Sequence, residues 1–590
     1  MLPSKPFIYL SFSISALLLN SCSPTQMRNS ADREVFGILG RKSSVVPNVG
    51  KGLLDITPPP PISLAELSKS AKGPEFLGTR AKIENNAKIL PLAEALKLAV
   101  THNREYLSKK ELLYLQALDL TLVRHEFTPI FTATGSAEAL AVNTPTNATI
   151  RTPNPAYGRA KAAGVLVPVV PEFIERQVST LVTENTLTAT GNLGVSVLTR
   201  TGARLAADFS TDFLRFLTGN LTNASDSSFA ATVTQPLLRG AGYHATMENL
   251  TQAERDLMYA IRDFTQYRKT FTVDITSQYY RTLEARDAAK NAYLAYHAFE
   301  LILGSERALA KEDRRTSSQL GLIEQAALKY ERIWISYVNR YELQLDSLKI
   351  ALAIPVQTAV ILDEKELAKL SLEDPGMSFE ESIETALVTR LDIYNKRDAV
   401  QDTERKIKLA AQDLLPQVDL TGRYQVNGDP KSGRLNLNLD RRTLGGGVDL
   451  DLRLDKKADR NAYRSSLIAQ QRVARELDLA EEDIRSSLRT SWRDLEAARK
   501  QYEIAETGVK LSARRVDEEE LLRTLGRGTA RDLIDAQQDL IEAKDFLTAA
   551  LIAHTISRLR VWRDMGILFI TKEGGWQRVL QGETAPANDE

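Results

Sequence analysis

The chain has 590 residues, its 76 Lys and Arg are matched by 76 Asp and Glu, and its mean hydropathy is −0.25. This balance leaves no basic excess to draw nucleic acid and no acidic excess to solvate a tail. His102, His125, His244, His297 and His554 are scattered without metal-ligand spacing, and no GxSxG, P-loop or cysteine nucleophile is present, so the sequence implies neither enzyme, metal nor cofactor.

Residues 1–21 read as a secretory signal peptide: Lys5, an apolar stretch from Phe7 to Leu19, then small and polar residues up to Cys22. The apolar stretch is too short for a stable membrane anchor. Leu19-Asn20-Ser21-Cys22 resembles the bacterial lipobox, in which the cysteine becomes the lipidated first residue of the mature chain. Cys22 is the only cysteine, and a free thiol is the alternative reading. Ser23 follows where aspartate would imply retention at the inner membrane, so the resemblance implies sorting to the outer one. Acyl chains there anchor at about 0.8 kcal/mol per buried methylene. Residues 22–85, with Pro47 and the run Pro58–Pro61 but no sustained period, read as an extended lipidated tether that adds little core. Beyond residue 22 no apolar run of about 18 residues exists, so a membrane crossing would require a closed β-barrel.

The body of the chain repeats itself. Glu94, Ala99, Pro129 and Thr134-Gly135 recur as Glu381, Ala386, Pro416 and Thr421-Gly422, each 287 residues later. Two copies of one unit follow: a first repeat over 86–357, a linker over 358–378, a second repeat over 379–570 and a polar tail over 571–590. In each copy an amphipathic helix stops at a proline and becomes an alternating strand.

The first-copy strand begins at Phe131, Ala133 and Gly135, and AATVTQPLLRG closes the excursion. NTPTNATIRTPNPAYG and VLVPVVP between them read as external loop. A second alternating stretch, Ala203 to Phe209, either lengthens the hairpin or forms another. The second copy is clearer. Val418, Leu420, Tyr424 and Val426 oppose Gln417, Asp419, Thr421, Arg423 and Gln425; on the return, Val448, Leu450, Leu452 and Leu454 oppose Asp449, Asp451, Arg453 and Asp455. Lipid on one face and water on the other demands this pattern, and a soluble two-layer sheet would also satisfy it. The flanking helices are long. Leu477, Ala480, Ile484, Leu488, Ser491, Leu495, Ala498, Tyr502, Ala505 and Val509 form one stripe. The proline-free stretch from Asn461 to Leu522 would span roughly 90 Å as a helix, and Glu248 to Leu309 is its first-copy counterpart.

With QPLLRGAG before a long helix, and LGRGTARDLIDAQQDLIEA carrying Gly526, Thr529, Asp532, Leu533, Asp535, Ala536 and Gln537 in order, the chain resembles the TolC-like outer membrane efflux proteins over about residues 85 to 570. It departs from them in having Leu522-Arg523-Thr524-Leu525 where an aromatic residue often precedes the glycine, and in its long first hairpin. The resemblance implies a mainly α fold with a β-barrel portion: a duplicated helix–strand–strand–helix unit assembled as a trimeric α-helical barrel plus a 12-stranded transmembrane β-barrel. Four strands per chain cannot close a conducting barrel, and open edges are not tolerated in lipid, which agrees with the implied homotrimer.

The implied function is that of the outer membrane channel of a tripartite efflux or type I secretion system. Such a channel is a passive conduit, lipid-anchored in the outer membrane with its helical portion in the periplasm. Its implied partners are a periplasmic adaptor, an inner-membrane pump of RND or ABC type, and outer membrane lipid. Asp419, Arg423, Asp449, Asp451 and Arg453 would face the lumen. Asp532 and Asp535 share a helix face after a glycine-rich turn, Glu324 is their first-copy match, and all three are periplasmic gate candidates as carboxylate rings. Acidic residues that merely complement a helix N-terminus are the alternative. The competing function is a non-conducting, coiled-coil structural lipoprotein that tethers envelope layers.

Overall fold

A computed structural model gives the fold and describes residues 23–49, 55–70, 73–163, 171–216, 224–311, 317–429, 437–525 and 527–578. In chain order these form α1 (Pro24–Ser43), a 3₁₀ segment (Glu75–Glu84), β1 (Lys88–Leu90), α2 (Leu92–His102), α3 (Arg104–His125), β2 (Ile130–Pro153), α4 (Pro155–Ala162), β3 (Phe173–Leu198), β4 (Arg204–Phe216) and β5 (Ala224–Pro236). Then come α5 (Tyr243–Lys311), α6 (Ser317–Ala351), β6 (Val360–Leu362), α7 (Lys365–Ala368), α8 (Phe379–Thr389), α9 (Leu391–Gln412), β7 (Gln417–Asn427), β8 (Arg442–Asp451), α10 (Lys457–Thr524), α11 (Ala530–Asp564), β9 (Leu568–Ile570) and β10 (Trp576–Arg578).

The 287-residue offset reappears in these spans. α2 and α8 each have 11 residues, and α3 and α9 each have 22. Each pair starts 287 residues apart, as do β2 and β7. Each helix pair breaks at one extended residue, Asn103 (φ −62°, ψ 127°) and Arg390 (φ −70°, ψ 127°). The long helices follow in the same order, α5 and α6 in the first copy and α10 and α11 in the second.

The chain divides into two compact units. The first comprises Met1–Thr121, Gln252–Glu404 and Ile468–Glu590 and is mostly helical. Its core takes Ile484, Leu488 and Leu495 from α10, Leu559 and Trp562 from α11, Ala386 from α8 and Ile393 from α9. The three- and four-residue steps of the α10 stripe, with Ser491, Ala498 and Ala505 also buried, bring one side of that helix inward along its length.

Three readings at the margins of the repeats are corrected in this unit. The tether contributes core: Val35, Ile38 and Leu39 of α1 are buried, with Phe76 and Leu77 of the 3₁₀ segment. Val35, Ile38 and Leu39 stand at i, i+3 and i+4, a helical spacing that the proline-rich composition obscures. The Tyr114 hydroxyl donates to Asp32 at 2.5 Å, and Lys42 meets Glu254 at 3.1 Å. The linker is also structural, because β6 pairs in parallel with β1. So is the start of the tail, since β10 pairs antiparallel with β9. Gly574 makes that last turn at φ +83°, and a Cβ there would meet Val100 Cγ2 at 2.8 Å and the Leu96 carbonyl oxygen at 2.9 Å. Only glycine fits.

Arg286 lies at the centre of a buried polar cluster. It donates to both Glu84 carboxylate oxygens at 3.2 Å, to Glu364 at 3.0 Å and to the Tyr341 hydroxyl at 2.8 Å. Its guanidinium lies 5.2 Å from the centre of the Phe76 ring. One side chain thereby ties the 3₁₀ segment to α5 and α6, and charges removed from water in this way persist only when fully paired.

The second unit, Leu122–Thr251 and Arg405–Leu467, holds one six-stranded antiparallel sheet in the order β2-β3-β4-β5-β7-β8. Four strands per chain is therefore corrected to six. The first copy supplies four strands and the second supplies two, so the helix–strand–strand–helix plan holds only in the second copy. The stretch from Ala203 to Phe209 belongs to a separate strand, β4, entered through a turn in which Thr199 N donates to the Ala203 carbonyl at 2.8 Å. Most of NTPTNATIRTPNPAYG continues β2 rather than looping, with Pro145 opposite Leu181. Proline is tolerated there because β2 is an edge strand, and the threonines favour extended backbone. Of VLVPVVP only Pro171 lies within the described residues.

Candidate functional site

Opposite residues in an antiparallel pair share a face, so the register sorts the side chains of the sheet. On one face, Phe131 is opposite Val195, Ala133 opposite Leu193, and Leu193 opposite Phe209. The row continues as Phe209–Phe229, Phe229–Val426 and Ala231–Tyr424, then Tyr424–Leu444, Leu420–Val448 and Val418–Leu450. Apolar residues thus cover one face across all six strands. On the outer strands they are open to the surroundings, with Phe131 80% exposed, Leu193 58%, Leu444 81%, Val448 63% and Leu450 60%, while Val426 in the middle of the sheet is buried at 2%. A contiguous apolar surface of this extent marks a contact with lipid or protein.

The other face is polar. Ser136 bonds Thr190 at 2.6 Å, and Ser210 bonds Ser228 at 2.7 Å. Two opposite pairs are acidic, Asp212–Asp226 and Asp419–Asp449. Like charges placed opposite one another are unfavourable unless water screens them. Asp419, Arg423, Asp449 and Asp451 all lie on this face, with Arg423 opposite Gly445 and Asp451 opposite Gln417. Arg453 lies beyond it, because β8 ends at Asp451. It stands at φ +33° and bonds back to Asp451 at 3.4 Å.

The hairpin tips hold the acidic candidates of the first unit. Phe299 and Leu303 of α5, Ile323, Ala327 and Tyr330 of α6, and Ala530, Ile534 and Ile541 of α11 pack together. Arg523 of α10 forms a buried ion pair with Glu306 of α5 at 2.9 Å. The glycine-rich turn is sterically set: a Cβ on Gly528 would meet Arg523 N at 2.9 Å. Thr529 caps α11, accepting from Asp532 N at 3.2 Å and donating to the Asp532 carboxylate at 2.5 Å. Asp532 is thus engaged as a helix-start residue. Asp535, one turn on, is exposed. Glu324 takes Arg307 at 3.0 Å.

Sequence reasoning missed a second acidic group in the helical unit. Asp545 of α11 takes a bond from Asn291 at 2.9 Å, and Thr548 donates to Asp287 at 2.8 Å. Burial, aided by Asp287 and Glu284 nearby, pushes the Asp545 carboxyl up to about 6. Burial likewise pushes the Tyr330 hydroxyl up to about 12, with Glu542, Asp535 and Asp539 adding to the effect. Only the placement of polar residues at i and i+3 on a mostly apolar stripe could have signalled these groups. Among the described residues no helix is long and apolar enough to cross a membrane, and no cluster of three His, Cys, Asp or Glu could hold a metal. Cys22 lies outside the described residues.

No family model and no curated protein matches the sequence. Solved structures do match. The CmeC outer membrane channel of Campylobacter jejuni aligns with 90% of this chain and 96% of its own at a TM-score of 0.56 and 13% identity. The fold is that of the TolC-like outer membrane channels. CusC, described as forming a transmembrane channel, aligns with 80% of this chain and 92% of its own at a TM-score of 0.56 and 10% identity. The open state of the Neisseria gonorrhoeae MtrE outer membrane channel covers 80% of this chain and 88% of its own at 0.55 and 12%. At these identities the TolC-like likeness is one of backbone path.

Proposed function

We propose that this protein is a passive channel of a bacterial outer membrane, through which solutes leave the periplasm. The observation that carries the reading is the sheet with one face apolar and the other polar across six strands. A wall between lipid and water needs that division, and a buried two-layer sheet would not leave its apolar face uncovered. The solved channels with the same fold, CmeC and MtrE among them, support the reading. The sheet edges on β2 and β8 must be satisfied in lipid by further copies, and three copies are proposed. Asp419, Arg423, Asp449 and Asp451 then line the lumen, with Arg453 at its rim. The helical unit lies in the periplasm and docks with an adaptor and an inner-membrane pump of RND or ABC type. Cys22 carries the lipid anchor, and labelled palmitate incorporated equally by Cys22→Ser would refute that part.

Purified protein in a planar bilayer should give discrete conductance steps. A complete absence of steps would favour the envelope tether. The gate proposal rests on Asp535 and, less directly, on Asp532. Replacing both with Ala should shift the reversal potential in a salt gradient toward lower cation preference. An unchanged potential would leave them as helix-start residues.

A further inference from the structure

The six-stranded sheet differs from a two-plus-two plan by one hairpin, β2 with β3. We propose that this hairpin is part of the wall, so that three copies close an eighteen-stranded pore in which β8 of one copy pairs with β2 of the next. The inference rests on the channel reading above. It assigns the pore a cargo of hydrophilic solutes too wide for a twelve-stranded wall.

The hairpin is continuous with the sheet. β4 pairs along its whole length with the second half of β3, from Thr186 opposite Phe216 to Leu198 opposite Arg204. The root of the hairpin has the composition of a lipid-facing wall. Phe131, Ala133, Ala137 and Ala139 share a face with Leu187, Ala189, Leu193 and Val195. This band is roughly eleven residues tall, the length that crosses a bilayer as a tilted strand. Farther along, the same face turns polar at Asn143, Asn147, Thr149 and Arg151, opposite Thr183, Ser179, Gln177 and Glu175. A hairpin standing wholly in water would have no use for an apolar root beneath a polar tip.

The seam follows from the repeat. Ile130 and Gln417 open β2 and β7 at the same offset, and β7 meets β8 through Val418–Leu450 and Leu420–Val448. The same register on the free edge of β8 sets Phe131 of the next copy against Leu450, Ala133 against Val448 and Gly135 against Gly446. Apolar positions meet apolar ones, and β2 and β8 run antiparallel as the seam requires. If the hairpin instead folded away from the wall, β4 would form the edge and Leu205 would stand beside Leu450. Barrel diameter grows roughly linearly with strand number, so six strands per chain instead of four widen the pore by roughly half.

Cysteine pairs in the full chain test the seam, with the parent, whose only cysteine is Cys22, as control. Oxidation of Phe131→Cys/Leu450→Cys, or of Ala133→Cys/Val448→Cys, should link chains covalently, and Leu205→Cys/Leu450→Cys should not. Linkage through Leu205→Cys, or through none of the three pairs, overturns the proposal. Deleting 130–203 joins Pro129 to Arg204 and keeps Leu205 in the phase of Phe131. The radius of the largest poly(ethylene glycol) that enters the pore should then fall by about a third, and an unchanged cut-off also overturns the proposal. A variant that fails to assemble leaves the cross-links to decide. A parent that links as stated but never conducts would sink the channel reading and keep the strand count.

Discussion

In the helical unit Ile484, Leu488 and Leu559 are buried among one another, while in the sheet unit Leu444, Val448 and Leu450, side chains of the same chemistry, stand exposed on one face. The charged groups are reversed too. Arg286 and Glu84 are buried and paired in the first unit, and Asp419 and Asp449, two like charges, stand opposite one another in the register of the second. One chain therefore follows two rules for apolar side chains. The difference teaches that one unit buries its apolar side chains in an interior of its own, while the other leaves a row of them uncovered on its outer strands.

The sharpest way to break this contrast is at Arg286. Arg286→Met leaves Glu84 buried without its cation and should cost about 3–5 kcal/mol, read as earlier chemical unfolding of the helical signal. A loss below 1 kcal/mol would show the pair to be solvated. Next is the sheet. Leu450→Arg places a charge on the apolar face and should cost about 2–4 kcal/mol if that face meets lipid, whereas Asp449→Arg should cost far less and relieve an acidic pair. Assembled oligomer on a native gel distinguishes them, and equal losses would mean that the two faces see the same medium. Smaller still is Thr529→Ala, which removes the α11 cap for about 1 kcal/mol; a melting temperature matching the parent would dismiss the cap.

The last test is pH-linked. The folded protein holds the Asp545 proton more tightly than the unfolded chain, since the carboxyl is pushed up to about 6 from its ordinary 3.8. Its contribution to stability therefore rises as pH falls through about 6 and levels off below the ordinary value. Asp545→Asn should flatten that part of a stability-against-pH profile, and an unaltered slope would place the carboxyl in water.

Much of this was legible in the residues. The 287-residue offset placed the helical stretch and the start of β7 in the second copy from those in the first, with Pro129 and Pro416 as the shared stop, but it read one helix where each copy has two, broken at Asn103 and at Arg390. The alternation after Pro416 gave the two faces of β7 but only the end of β8, Val448 to Asp451, and it ran on to Asp455 past the strand. Where the reading failed, composition masked geometry. Thr144, Pro145 and Thr146 look like loop residues but lie in an edge strand, where a proline costs no ladder bond on its open side. The prolines around α1 outweighed three apolar residues at helical spacing. The Arg286 cluster draws on residues from 84 to 364, a separation that no local pattern conveys.

The open edge of β2 has a consequence for the timing of assembly. A strand of 24 residues with one side unpaired is a template for any extended chain it meets. Under the proposed closure of copies edge to edge, a newly made monomer is at its most hazardous between synthesis and closure, and that interval shortens as copies become more concentrated. Correct closure and aggregation draw on the same backbone groups and differ only in which partner arrives first. Yield should thus depend on the local density of nascent copies and on escorts that cover the edge, more than on the stability of the finished ring.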